Sequence, residues 1–481
     1  MEATPSQDYK ILIRDKKGCF ALNPFTSKQT KLFSLPECSQ LISAKKHFAV
    51  VNAGKLSLYL TKDFSLAKTF DDLELVTAVD FSPKEKFLVI IQKPSVQNNL
   101  KVINLENYEI AFLFHSTTHP STQWPQISFD MNEDNYIYRH IKTTIDIYKI
   151  NVGTKEATKF GSIENVIAYE KAEYKNEKGD IENAILVGKV VPTPNGKGKK
   201  CFFSMYNMND LTKPMKEMNV SLTDRMKLKL SPDNKYILIQ AINDNTSSQS
   251  YYGASSLYYT DIETLKFVKF ALPEGPIHDF DWCPDGNHFI ICSGHLPSKT
   301  GLYNKEGKLV KDICIGKFNR VKISPDSRIV ALCGFGSLNG DIEFYNLETY
   351  QLIGKYNFFC CVNFNWSVDS KYLLGAVLST RVKVDNEYRI LKYNGEDVLG
   401  DKEVGEIYEC IWVHDDSKQY EKYEIEVNKK SLEKKEKQGV KLTSTLGTIT
   451  WNTNKSSSSS NENTGGIVGL GKKKKKKKGN Q

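Results

Sequence analysis

No apolar run in the 481-residue sequence approaches the ~18 residues that a membrane-crossing helix needs, so a transmembrane span is not expected. The first ten residues are polar and include Glu2 and Asp8, unlike the basic start and apolar middle of a secretory leader. No Cys-x-x-Cys pair occurs among the ten cysteines, and the closest two are the neighbours Cys360 and Cys361. Several sit inside apolar runs, such as Cys292 in Phe289-Ile290-Ile291-Cys292, and read as buried free thiols rather than disulfides or zinc ligands. A reducing compartment suits them, so the expected location is the cytoplasm, away from membrane.

Catalytic signatures are missing too. His-Glu-x-x-His, Gly-x-Ser-x-Gly and Gly-x-x-x-x-Gly-Lys-Ser/Thr are all absent. His115 and His119 are four apart, yet the Ser, Thr and Pro around them argue for a loop rather than a metal-binding helix. Asn195-Gly196-Lys197-Gly198-Lys199-Lys200 looks phosphate-binding but lacks a following Ser or Thr, and reads as a solvated hairpin. The expectation is therefore no enzyme, no catalytic residue, no metal and no cofactor.

What the sequence has is aromatics, at 11% with 24 Tyr and 24 Phe, a composition that favours strands. Its formal net charge of +9 is localised. Residues 442–481 carry +7 and residues 428–441 carry +4, which leaves −2 for residues 1–427. The body is nearly neutral.

One pattern recurs along that body: alternating apolar residues, a Ser-Pro-Asp-like turn, then an apolar run. It is clearest at Leu228-Lys229-Leu230-Ser231-Pro232-Asp233 before Tyr236-Ile237-Leu238-Ile239. Copies follow at Trp282-Cys283-Pro284-Asp285, Ile323-Ser324-Pro325-Asp326 and Trp366-Ser367-Val368-Asp369, with an earlier one at Phe81-Ser82-Pro83-Lys84. Weaker copies stand at Ala44, Asn132 and Asp415. A degenerate unit belongs near residue 182, with Val166-Ile167-Ala168-Tyr169 and Ala184-Ile185-Leu186-Val187 as strands around a polar turn. Alternation marks a half-buried strand and the apolar run a strand buried on both faces. Proline and the small polar residues set the turn between them. A second strand pair follows in most units, as at Asp341-Ile342-Glu343-Phe344-Tyr345 before Leu352-Ile353.

Four antiparallel strands per unit, repeated nine times, predict an all-β, WD40-like nine-bladed β-propeller over residues 8–427. Exposed sheet edges favour closure of the ring. The N-terminal strands at Tyr9-Lys10-Ile11-Leu12-Ile13 and Cys19-Phe20-Ala21-Leu22 are expected to complete the last blade. The last unit itself is expected to supply Ile411-Trp412-Val413 and Tyr423-Glu424-Ile425-Glu426-Val427. Residues 428–441 could form one charged helix, and the Ser/Gly/Lys-rich residues 442–481 read as a disordered basic tail.

Three segments depart from the blade pattern. Residues 243–253 form a polar loop ending in Tyr251 and Tyr252. Gly334-Phe335-Gly336-Ser337-Leu338-Asn339-Gly340 offers an exposed-looking Phe335 beside Asn339. These four residues are candidate partner-facing positions; the plainer reading is tight-turn glycine and packing at blade edges. In Arg381-Val382-Lys383-Val384-Asp385-Asn386 the alternation places Arg381 and Lys383 on one strand face. With Lys472, Lys473, Lys474, Lys475, Lys476, Lys477 and Lys478, they are candidate nucleic-acid contacts. A lysine run attracts phosphates by charge and carries little base information. A solubility tail or a targeting patch is the plainer reading of that run.

The same segments carry a resemblance. Ser250-Tyr251-Tyr252-Gly253, Gly275-Pro276-Ile277-His278-Asp279-Phe280-Asp281-Trp282, the Gly334 segment continuing through Asp341-Ile342-Glu343, the Arg381 segment and Tyr393-Asn394-Gly395 stand in order. Together they resemble the eukaryotic translation initiation factor 2A family over about residues 225–413. The resemblance implies a nine-bladed propeller in a non-catalytic factor. It also implies binding to the small ribosomal subunit and codon-dependent direction of initiator methionyl-tRNA to it for a subset of mRNAs. Other initiation factors are implied partners. The alternative is a propeller scaffold for protein–protein assembly with no direct tRNA role.

Overall fold

The clear Ser-Pro-Asp copies fold as the turns of hairpins, and where a serine is present it makes the turn's bonds. The Ser231 hydroxyl donates to Asp233 Oδ1 (2.6 Å) and accepts the Tyr236 N–H (2.9 Å), while the Ser231 N–H donates to the Tyr236 carbonyl (2.7 Å). Ser324 repeats this with Asp326 and Ile329, and Ser367 with Asp369 and Tyr372. Six of these turns close through a residue of positive φ: Glu85 (57°), Glu133 (60°), Asn234 (58°), Gly286 (70°), Ser327 (62°) and Ser370 (63°).

The computed structural model describes residues 9–26, 31–176, 178–193, 198–244, 254–264, 266–399, 405–413 and 422–433. Every described residue lies in the compact unit Met1–Lys434. Nine antiparallel sheets are present, and they are the nine blades of a β-propeller. Blade one begins at Gln40–Ser43, blade two at Val76–Phe81, blade three at Ile127–Phe129 and blade four at Val166–Lys175. Blades five to eight begin at Arg225–Leu230, Ile277–Trp282, Arg320–Ile323 and Asn363–Trp366. First strands of neighbouring blades touch one another, as blade four's touches blade five's and blade six's touches blade seven's, so these strands surround the axis.

Blade nine joins both ends of the chain. Ile407–Val413 pairs antiparallel with Lys10–Asp15, in the register Ile11↔Trp412, Leu12↔Ile411 and Ile13↔Cys410. Gly18–Leu22 and Lys31–Pro36 then fill the outer positions. The degenerate unit is blade four, whose strands Val166–Lys175 and Ile181–Pro192 flank the polar turn.

The core is divided in the same way. Among the described residues nine apolar clusters are formed, each shared by two adjacent blades. Cys283, Ile290, Phe318, Val330 and Tyr345 fill the joint between blades six and seven, for example. No single central core holds the ring, so its stability is a sum over blades and the joints between them, as in other repeat folds. Indole N–H groups add polar stitches near the axis. Trp282 donates to the Lys229 carbonyl (3.0 Å), Trp366 to that of Lys322 (3.1 Å) and Trp412 to that of Asn365 (3.1 Å), each reaching the preceding blade.

Among the described residues blade eight differs from the four-stranded pattern, with the three strands Asn363–Trp366, Tyr372–Ala376 and Tyr388–Lys392. Residues 423–427, expected as a strand of the last blade, form no strand there. Blade nine's outer positions are already taken by the N-terminal strands. The segment crosses instead to the joint between blades seven and eight. The Tyr423 hydroxyl donates to the Ser370 carbonyl (2.6 Å), and Tyr393 donates to the Glu424 carbonyl (3.0 Å). The Asn428 N–H donates to the Ile353 carbonyl (2.8 Å), and the short helix Lys429–Glu433 follows against the outer strand of blade seven. Tyr423 and Ile425 pack on that joint's apolar cluster.

Candidate interaction face

Antiparallel strands alternate in direction, so the links leaving the second and fourth strands of every blade emerge on one face of the ring, opposite the Ser-Pro-Asp turns. All three odd segments are links of this kind, after the second strands of blades five, seven and eight. Tyr251 and Tyr252, in the blade-five link, lie outside the described residues, as do Lys472 to Lys478.

The blade-seven link does not expose its phenylalanine. Phe335 is buried, edge-on to Phe364 with ring centroids 5.5 Å apart, inside the joint between blades seven and eight. Asn319 fixes its backbone from both sides: Oδ1 accepts the Phe335 N–H (3.0 Å) and Nδ2 donates to the Phe335 carbonyl (2.8 Å). Two glycines make the inward path possible. A Cβ on Gly334 would lie 2.4 Å from the Lys317 carbonyl oxygen, and one on Gly340 (φ 85°) would lie 2.4 Å from that of Phe358. Phe335 is thus a core residue and not a partner-facing one. Asn339 does stay exposed, and its carbonyl accepts the Asn357 side-chain amide (2.9 Å).

The blade-eight link is not a strand. Residues 381–386 turn back on themselves: Arg381 and Val382 both donate their N–H to the Leu378 carbonyl (3.0 Å each). Asn386, buried, donates to the Val382 carbonyl (2.6 Å) and accepts the Ile407 N–H (3.3 Å), which clamps the loop against blade nine. Arg381 and Lys383 are exposed on this loop rather than on a strand face. A local hydrogen-bonding asparagine outcompetes the ladder there.

Three links therefore meet. Arg381 stands over the blade-seven loop, where a Cβ on Gly336 would lie 3.6 Å from its Nη2. Asn357 ties Asn339 to the link between blades seven and eight, and that link carries Phe359 at 64% exposure. Val384 on the blade-eight loop is 65% exposed. Blade nine extends the face with Lys16 and Lys17 in the turn between Lys10–Asp15 and Gly18–Leu22. Lys16 Nζ lies 3.4 Å from Glu406 Oε1. The Tyr408 hydroxyl first, then Lys16 and more weakly Lys383, hold the Glu406 carboxyl below its ordinary value. The result is a face of arginine, lysine and solvent-exposed apolar side chains on blades seven to nine. Its Phe359 was missed in the sequence because Phe358-Phe359 gives no sign of which ring turns inward; Phe358 does.

Among the described residues no group of three or more His, Cys, Asp or Glu side chains is placed to hold a metal. His119 engages Ser121 (2.8 Å) in the link before blade three. No helix among the described residues is long and apolar enough to cross a membrane.

Comparison with known proteins bears on the same blades. The family model described as "Eukaryotic translation initiation factor eIF2A" matches residues 219–410, which hold blades five to eight and reach into nine. The protein named eukaryotic translation initiation factor 2A in Dictyostelium discoideum is 27% identical over 351 residues, 70% of this chain and 54% of its own length. Its namesake in Caenorhabditis elegans is 26% identical over 409 residues, 80% of this chain and 68% of its own length. The chain thus spans about half to two thirds of these relatives. A solved structure titled "Crystal structure of the eukaryotic initiation factor" superposes with a TM-score of 0.71 at 21% identity, covering 84% of this chain and 98% of that one. That likeness concerns the fold. With matches that run through most of the propeller and include its odd links, the chain is similar to the eukaryotic translation initiation factor 2A proteins over most of its length.

Proposed function

We propose that the protein is a non-catalytic, cytoplasmic factor of translation initiation. In this reading its propeller docks on the small ribosomal subunit and directs initiator methionyl-tRNA to it, in a codon-dependent manner, for a subset of mRNAs, alongside other initiation factors. The observation that carries the reading is the family match across blades five to nine. The exposed face of blades seven to nine supports it, because basic side chains beside an aromatic ring suit RNA phosphates and bases. The body's near neutrality gives shape and protein contacts a share in docking.

The test is cosedimentation of the full chain with small ribosomal subunits at roughly physiological salt, where exposed charges are already screened. Failure to cosediment, with a set of cellular partners lacking ribosomal proteins and initiation factors, favours the scaffold reading. The basic tail is assigned a separate task, tethering RNA. Lys472 to Lys478 offer about seven phosphate contacts, for a log–log salt slope near −5 on single strands. Deleting residues 442–481 should remove most of that slope and leave subunit binding. An unchanged slope would move RNA contact to ring residues such as Arg381 and Lys383.

A further inference from the structure

The inner strands of blades five to eight carry charge in columns. Lys227 and Lys229 stand on blade five, Asp279 and Asp281 on blade six, Arg320 and Lys322 on blade seven, and Asn365 on blade eight, around a channel cavity of about 930 Å³. Within each column the residues are two apart and so share a strand face.

Both carboxylates are occupied. Asp279 Oδ1 is 3.2 Å from Lys227 Nζ, and its Oδ2 accepts the Val321 N–H (3.0 Å). Asp281 Oδ2 is 2.6 Å from Lys229 Nζ, and its Oδ1 accepts the Trp282 N–H (3.0 Å). The blade-seven cations are not neutralised. Arg320 Nη1 donates to the neighbouring Asn319 carbonyl (3.0 Å), and Lys322 Nζ reaches only the neutral Asn365 Oδ1, at 3.4 Å. Among the described residues neither forms an ion pair. The cavity therefore has four fixed cations against two carboxylates. Its walls are protein, and a concave low-dielectric wall concentrates the field of such an excess.

We propose that this channel is a binding site for a small oligophosphate. The spare charge sits on an arginine and a lysine. The planar guanidinium fork matches phosphoryl oxygens in pairs, and the ammonium serves as a point charge beside it. Lys227 and Lys229 bracket the opposite side and can share a multiply charged ligand with their aspartates. The volume is that of a small-molecule site. The indole N–H groups of Trp282 and Trp366, which also line the cavity, are already committed to backbone carbonyls and do not compete for the ligand.

The probe is pyrophosphate, titrated calorimetrically into the full chain at about 0.15 M salt with tryptophan emission followed in parallel. Binding in the submillimolar range is expected, with a change in emission from the two channel tryptophans. The R320Q/K322Q double variant should weaken it at least tenfold. Asp281→Asn, which frees Lys229 from its partner, should tighten it severalfold, an effect that misfolding cannot imitate. Replacing Lys472 to Lys478 by glutamine should leave affinity unchanged. The proposal is overturned if the double variant binds like the wild type, if D281N fails to tighten binding, or if the tail replacement abolishes it.

Discussion

The joints between blades one, two and three and those between six, seven and eight solve one problem with different chemistry. In both sets the positive-φ residue of a turn reaches back to the turn of the preceding blade. In the first set it is a buried glutamate. Glu85 accepts the N–H groups of Lys45 (2.5 Å), Lys46 (2.9 Å) and His47 (3.2 Å) and engages the His47 ring (3.0 Å). Glu133, 1% exposed, accepts the Ser82 hydroxyl (2.7 Å) and the N–H groups of Lys84 (2.6 Å) and Lys86 (3.2 Å). In the second set a hydroxyl accepts one bond: Ser327 from Asp285 N–H (2.9 Å), and Ser370 from Asp326 N–H (3.0 Å).

Left-handed backbone costs a non-glycine residue about 1 kcal/mol. Several charge-assisted bonds offset that with a surplus, whereas one neutral bond does little more than balance it. The lightly stapled joint between seven and eight is also where residues 422–433 cross. There the ring of Tyr423 lies 4.6 Å from that of Tyr393 with the Arg328 guanidinium 4.6 Å from its centre, and Arg328 Nη1 donates to the Tyr423 carbonyl (2.9 Å). The strap supplies at that joint what its turn lacks.

Breaking a glutamate staple should have the largest effect. Glu133→Ala leaves buried donors without partners and keeps the backbone strain, so about 3 kcal/mol should be lost, read from the urea midpoint. Glu133→Gly should recover about 1 kcal/mol of that by relieving the strain. Next comes the strap. Tyr423→Ala should lower stability by about 2 kcal/mol and raise hydrogen exchange in Leu352–Asn357, with little change in blades one to three.

Acid should separate the two sets of joints. Burial works to raise the Glu85 carboxyl, but the His47 ring and the N–H groups of Lys46 and Lys45 outweigh it and hold the group below its ordinary value of 4.5. A depressed carboxyl stabilises the fold above that ordinary value and loses its contribution as pH falls through the depressed one. Stability of the wild type should therefore fall more steeply below pH 4.5 than that of Glu85→Gln, in melts taken across pH. The smallest effect is expected at Ser327→Gly, where one neutral bond and the strain disappear together, for a net change within about 1 kcal/mol in the same urea titration.

The ring was legible because its signals are local. Ser231, Ser324 and Ser367 write their own turns, and the apolar runs after them are the strands buried on both faces. The staples were not legible, because Glu85 in Lys84-Glu85-Lys86 looks like an ordinary solvated charge until blade one is placed against it. For the same reason Phe335 looked exposed between two glycines, when those glycines exist to let it in. Arg381 and Lys383 kept their exposure but lost their strand, since Asn386 closes a loop that alternation alone cannot foresee.

By itself the sequence determined the number of blades, most of the strands within them and the closure of the ring through Ile11 and Trp412, because hydrophobic period and turn chemistry act over a few residues. The tertiary structure alone decided which side chains staple the joints, where residues 422–433 cross, and that two cations of blade seven face a channel with no carboxylate of their own. Those outcomes depend on residues some 40 to 100 positions apart being carried to neighbouring blades, and no local propensity encodes that distance.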